Sequence, residues 1–193
     1  LGREVFLAPV FWQKDGWFTA GDHGTVTEWM EMELSGKQDP HRYDVSFKTT
    51  GKDDLRWSYL RDYHKENYEF TKKGLRLRGT EITLNEADTP TFIGIRQSEF
   101  DTHLTVKVSG DAKEAGITYS MDEDQHYDLA LVNECGSRYV ILRLKVGDAE
   151  SVKRSELLPA GCEQVELQIH SDADKYYFSY LIDDKEEKLG NAR

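Results

Sequence analysis

The sequence predicts an all-β fold, an antiparallel sandwich or barrel, on three observations. Short runs that alternate apolar with polar residues recur along the chain. Glycine- and acid-rich turn signals separate them at short intervals, and no segment keeps apolar residues at helical spacing beyond about two turns.

Taken in order, Glu4 to Trp12 (EVFLAPVFW) is an apolar run, Asp15-Gly16 marks a tight turn, and Trp17-Phe18 follows, a pattern that predicts a hairpin. Thr19 to Gln38 is mixed: Trp29, Met30, Met32 and Leu34 fit either a short helical turn or an extended arm. Asp39-Pro40 ends this stretch, so the boundary falls near Ser35–Pro40, with residues 1–40 as an N-terminal arm and 41–193 as the β module. The opening Leu1-Gly2-Arg3-Glu4, with neither methionine nor a basic-then-apolar leader, reads as cut from something longer.

From Tyr43 onward the strand candidates are Tyr43–Phe47, Tyr68–Phe70, Leu75–Arg78, Thr91–Arg96, Thr102–Val108, Gly116–Ser120, His126–Val132, Tyr139–Lys145, Gln164–His170, Tyr176–Ile182 and Glu187–Leu189. Alternation is plainest in Leu104, Val106, Val108 and in Tyr127, Leu129, Leu131. Ser109-Gly110-Asp111, Cys135-Gly136-Ser137 and Asp183-Asp184 supply turns.

Composition narrows the function classes. A chain of 193 residues can bury a full core, and no run approaches the roughly 20 apolar residues of a membrane helix. A formal charge of −11 argues against a nucleic-acid partner, since phosphate binding rests on a basic surface. Cys135 and Cys162 lack the flanking Cys or His of a zinc site; they fit either one disulfide or two free thiols, with free thiols favoured because a chain of this size needs no staple. No glycine-rich phosphate loop, nucleophile elbow or paired-histidine metal helix is present, so no catalytic residues and no cofactor are expected. Asp122, Glu123 and Asp124 offer oxygens to a calcium ion but lack EF-hand spacing, and a solvated turn is the simpler reading.

Binding chemistry concentrates between Leu75 and Gln97. Leu75 and Leu77 share one face of a run whose other face shows Arg76 and Arg78; in Thr91–Arg96, Phe92 and Gly94 share a face with Arg96, and Ile93, Ile95 and Gln97 the other. Adjacent strands showing guanidinium and amide groups suit a hydroxyl-rich ligand, and equally a sheet whose arginines stand in water. Trp57, Tyr59, Tyr63, Tyr68, Tyr119, His126 and Tyr127 lie among polar neighbours. An exposed ring covers a pyranose face, about 2.5 kcal/mol for roughly 100 Å², although each aromatic taken singly fits the sandwich interior as well.

These motifs resemble a family. Leu55-Arg56-Trp57 with Leu60-Arg61, then Leu75-Arg76-Leu77-Arg78-Gly79, then Pro90-Thr91-Phe92-Ile93-Gly94 with Arg96-Gln97, are similar to the C-terminal module of family-43 glycoside hydrolases. Those enzymes are β-xylosidases and α-L-arabinofuranosidases, and the module is also classed as xylan-binding. Glu114 to Tyr119, Gln125-His126-Tyr127 and Tyr176 to Tyr180 fit as well, and the opening segment through Gly16-Trp17 resembles the exit of that family's five-bladed propeller. The resemblance implies a two-layer antiparallel β-sandwich, a concanavalin A-like jelly roll, from about Tyr43 to the C-terminus. It implies that the catalytic carboxylates belong to a propeller catalytic domain, the partner on which the sandwich packs, in an extracellular or cell-associated enzyme. Xylan or xylo-oligosaccharide is the implied ligand of a carbohydrate-binding module, with a structural accessory domain as the alternative. The ligand-binding candidates are Trp57, Arg61, Phe92, Arg96, Gln97 and Tyr127, with Thr91 beside them. After Leu60-Arg61 the family commonly continues with an Asn-Pro turn, whereas this chain has Asp62-Tyr63-His64-Lys65.

Overall fold

A computed structural model describes residues 5, 7–31 and 54–193. The chain divides into two compact units, Leu1–Asp44 and Val45–Arg193. In the first, β1 (Val10–Trp12) pairs antiparallel with β2 (Phe18–Ala20), as the Asp15-Gly16 turn predicts. The Asp15 carboxylate accepts the backbone N–H of Trp17 at 3.1 Å, and the Trp12 and Phe18 rings meet edge to face at 5.5 Å. Trp29 and Met30 lie in neither helix nor strand; Met32, Leu34 and the candidate strand Tyr43–Phe47 fall outside the described residues.

The second unit is built on two four-stranded antiparallel sheets. Its strands are β3 (Tyr68–Thr71), β4 (Gly74–Leu77), β5 (Thr102–Ser109), β6 (Glu114–Asp122), β7 (Gln125–Glu134), β8 (Ser137–Val146), β9 (Ala149–Leu157), β10 (Gln164–Ser171), β11 (Tyr176–Ile182) and β12 (Lys185–Ala192). One sheet runs β6-β7-β8-β9, the other β12-β11-β10-β5, and β3-β4 form a separate hairpin. The β7–β8 and β11–β12 hairpins turn through residue pairs that both hold positive φ: Cys135 and Gly136 at 48° and 79°, Asp183 and Asp184 at 50° and 62°. Turns of that hand match the right-handed twist of the flanking strands.

Alternation assigns the faces. Leu129 and Leu131 of β7, Val140 and Leu142 of β8, Val165, Leu167 and Ile169 of β10, and Phe178 and Tyr180 of β11 are buried together between the sheets. Both cysteines are free thiols.

Two expectations differ from the structure. Thr91–Arg96 is not a strand beside Leu75–Arg78; β4 pairs with β3, and the 91–96 segment touches a ladder only through a bridge between Ser58 and Gly94. Its alternation is real, but Tyr68 and Ser58 take up the backbone groups a neighbouring strand would need. Conversely β9, AESVKRSEL, is a strand that the pattern misses: it is an exposed edge paired only with β8, so its side chains carry no apolar alternation.

Gly116 sits where β6 meets β7 most closely. A Cβ there would lie 2.2 Å from the Leu129 carbonyl oxygen and 2.6 Å from Ala130 Cα. Gly116→Ala is therefore expected to destabilise the sandwich by about 1–3 kcal/mol, the usual cost of overpacking. The urea midpoint should fall with little change in slope, and an unaltered midpoint would refute the close contact.

Candidate functional site

Five of the six predicted binding residues fall on two irregular segments, 54–63 and 88–97, that run side by side, and the sixth, Tyr127, is on β7. Ser58 and Gly94 exchange backbone hydrogen bonds of 2.8 and 2.9 Å. The hydroxyl of Tyr68, the buried first residue of β3, donates to the Phe92 carbonyl at 2.9 Å and accepts the Phe92 N–H at 3.0 Å, satisfying a backbone that no strand serves. Thr91 Oγ1 donates to the Arg78 carbonyl at 2.7 Å. Tyr59, Tyr63 and Tyr68 pack mutually with centroids 4.4–5.2 Å apart, and burial pushes the Tyr59 and Tyr68 phenols up from the ordinary tyrosine pKa. The Phe92 ring covers Gly94 so closely that a Cβ there would lie 2.8 Å from it.

The six candidates are not one surface. Trp57 is half-buried, with its indole nitrogen out of reach of solvent. Arg61 takes the left-handed backbone (φ 55°), and its guanidinium donates to the Asp88 carbonyl at 2.6 Å and Glu123 at 3.2 Å. Arg61 thus ties segment 88–97 to the 122–124 turn, where Asp122 caps the backbone N–H of Asp124. Arg96 is exposed. Gln97 donates to the Glu99 carbonyl at 2.7 Å and accepts from the Tyr176 hydroxyl at 3.3 Å. Tyr127 faces inward from β7, its ring edge-on to Tyr176 and Phe178 and its hydroxyl donating to the Arg193 carbonyl. Trp57, Arg61 and Phe92 thus share one neighbourhood, while Gln97 leads through Tyr176 toward the sandwich interior where Tyr127 sits.

A second cluster, which sequence reasoning missed, occupies the other face of β7. His126 and Asp128 are buried at 2% and 4% exposure, on the side opposite Leu129. His126 Nδ1 lies 2.9 Å from Asp128 Oδ1, and its Nε2 lies 2.8 Å from Asn85 Oδ1. Asn85 Nδ2 donates to Glu150 at 2.6 Å, which fixes the amide so that its oxygen meets the imidazole. Across the ladder Arg143 of β8 grips Glu114 with two hydrogen bonds of 2.7 and 2.8 Å and stands 3.5 Å from Asp128. The Glu114 carboxylate raises the guanidinium's pKa further, against the cost of its burial. The network pins the loop between β4 and residue 91 onto the β6-β7-β8-β9 sheet. Asn85 and His126 are 41 positions apart, so only their shared loop-and-strand polarity was visible beforehand.

In the first unit, Pro9, Phe11, Trp29 and Met30 help line a depression of about 290 Å³. Among the described residues no group of three or more His, Cys, Asp or Glu side chains converges on a metal position.

Comparison with known proteins follows the fold. Residues 45–191 match the family described as the beta xylosidase C-terminal concanavalin A-like domain. The non-reducing end alpha-L-arabinofuranosidase BoGH43B of Bacteroides ovatus is 34% identical over 209 residues, covering 100% of this chain and 37% of that protein. A xylosidase/arabinosidase of Butyrivibrio fibrisolvens is 26% identical over 200 residues, covering 98% of this chain and 38% of its own length. The solved structure of the Bacteroides ovatus xyloglucan PUL GH43B superposes with a TM-score of 0.76 at 29% identity, covering 97% of this chain and 38% of that one. BlXynB of Bacillus licheniformis shares the fold, with a TM-score of 0.77 at 16% identity over 96% of this chain and 37% of its own. The chain thus spans little more than a third of the length of these relatives.

Removing Asp128 strips the buried His126 imidazole of its Nδ1 partner and takes one carboxylate from the Arg143 guanidinium, which keeps Glu114. Asp128→Ala is expected to cost about 3–5 kcal/mol, the loss seen when one partner of a buried ion pair is deleted. Asn85→Ala should cost about 1–2 kcal/mol and accelerate amide exchange selectively in the loop it anchors. Equal, small losses from both would show that the network carries no buried charge.

Proposed function

Because this chain belongs to the family of β-xylosidase C-terminal concanavalin A-like domains, we propose that it is a non-catalytic accessory module of a family-43 glycoside hydrolase, docked on that enzyme's catalytic domain. The observation that carries this reading is the apolar surface of the first unit. Trp12, Trp17 and Trp29 are 74%, 75% and 85% exposed, with Leu7, Phe11 and Phe18 exposed beside them. Apolar surface of that extent on a soluble protein marks an interface, and burying one such side chain contributes about 1.5–3 kcal/mol. The named relatives, an arabinofuranosidase and a xylosidase/arabinosidase, supply the class of partner.

A second reading, binding of xylan or arabinoxylan by the sandwich itself, draws support from the Trp57–Arg61–Phe92 neighbourhood and from Arg96, which is exposed. An exposed cation and amide groups beside half-buried rings suit hydroxyl-rich chains at low affinity.

Two measurements separate the readings. Titrating the chain into the isolated catalytic part of its enzyme should yield a complex that Trp12→Ala and Trp17→Ala each weaken by about 1–3 kcal/mol. Absence of a complex would remove the docking reading. In affinity electrophoresis on xylan, the second reading expects retardation that Trp57→Ala and Arg96→Ala diminish while Trp17→Ala does not; unretarded migration at high polysaccharide loading would remove it.

A further inference from the structure

The outer face of the β12-β11-β10-β5 sheet carries a row of rings set by strand register. His103 of β5 stands directly across from His170 of β10, and His170 across from Tyr177 of β11. Leu104, Ile169 and Phe178, one position along on the same strands, face the opposite way, and Ile169 and Phe178 are fully buried there. The strand period therefore holds both imidazoles toward solvent. Their ring centroids are 5.9 Å apart, and those of His170 and Tyr177 are 5.8 Å apart.

Neither imidazole makes a hydrogen bond to a described residue, in contrast to His126, whose two ring nitrogens are both engaged. A carboxylate stands close by. Asp172, just beyond β10, accepts the backbone N–H groups of Asp174 and Lys175 at 2.8 Å each and the Tyr177 hydroxyl at 2.9 Å. Those donors hold its carboxyl below the usual carboxylate range, with a smaller contribution from His170.

We propose that His103 and His170 form a two-point site for a divalent transition ion of the Zn²⁺, Ni²⁺ or Cu²⁺ class. Two imidazoles bound at about 2.0–2.1 Å and spread at a near-tetrahedral angle have ring centres roughly 5–6 Å apart, and the observed 5.9 Å lies in that range. The rings now cross at 70°, so a rotation of the exposed His103 side chain turns both nitrogens to one point. Antiparallel pairing fixes the two Cβ atoms, which makes the second ligand nearly intramolecular once the first has bound. Imidazole suits Zn, Ni and Cu rather than Mg or Ca, and affinity should rise to a maximum at Cu²⁺. With no third His, Cys, Asp or Glu converging among the described residues, water completes the coordination shell. Asp172 supplies anionic charge beside the dication without being a ligand.

The test is calorimetric titration of the full 193-residue chain with ZnCl₂ and with CuCl₂, alongside His103→Ala and His170→Gln. At about pH 7.5 one ion should bind per chain, Cu²⁺ more tightly than Zn²⁺, and each variant should bind roughly tenfold or more weakly. Both positions lie outside the core, so the metal-free melting midpoints of the variants should match that of the parent chain, and only the parent's should rise with added metal. Three results would each overturn the site: a silent parent chain at millimolar metal, unchanged binding in both variants, or loss in only one of them.

Discussion

Apolar contact between the inner faces of two sheets is the constraint from which the rest of the second unit follows. Phe178 on β11 and Leu129, Leu142, Leu167 and Ile169 around it are almost wholly removed from water. A strand gives the core every second residue. Once Leu129 and Leu131 are committed inward, His126 and Asp128 must lie on the other side of β7, whatever their polarity. Register is therefore fixed twice over, because a slip of one residue would drive a histidine and an aspartate into the layer that Phe178 fills.

That second side explains the loop between β4 and residue 91. An imidazole and a carboxylate at 2% and 4% exposure are tolerable only if every polar atom finds a partner. Arg143 provides charge and Asn85 provides the amide that closes the set. The arrangement contributes little net energy after desolvation, yet it is costly to break, and that asymmetry gives the loop one position on the sheet. The same logic operates at smaller scale in Tyr68, whose hydroxyl serves both backbone groups of Phe92. The segment that carries Phe92, Arg96 and Gln97 thus has a defined path with hardly any regular structure of its own.

Legibility in the sequence tracks how local each signal is. The inward alternation of Tyr127, Leu129 and Leu131 and the turns at Cys135-Gly136 and Asp183-Asp184 are short-range facts, and they locate β7, β8, β11 and β12 well. β9 escapes because an edge strand facing water has no apolar period to display. Thr91–Arg96 misleads for the opposite reason: it alternates like a strand, but its partners are a phenol and a lone bridge. Among the site candidates, Trp57, Arg61 and Phe92 are named by motif resemblance alone, and the Ser58–Gly94 bridge that sets their segments side by side has no local signal. The inward turn of Tyr127 was implicit in its own alternation with Leu129. The Asn85–His126 contact was not readable, since nothing local in a loop asparagine names a strand histidine 41 positions away.

The two units resolve their aromatic residues in opposite ways, and this difference bears on function. In the second unit phenylalanine and tyrosine are spent largely on closure: Phe178, Tyr180 and Tyr68 are buried, and Tyr127 is turned inward. In the first, among the described residues, Trp12, Trp17 and Trp29 remain in solvent in and near the β1–β2 hairpin. Two strands enclose no interior, so a hairpin by itself has nowhere to hide three indoles, and such a ribbon is marginal in water without something to lie against. The contrast lies on the polar sheet face: His103 and His170 stand opposed with their ring nitrogens unengaged by described residues, while the buried His126 has both ring nitrogens matched. At His126 and Asp128 the protein matches the polar groups it buries, so the unengaged imidazoles at fixed register on the open sheet face are the place to look for what it binds.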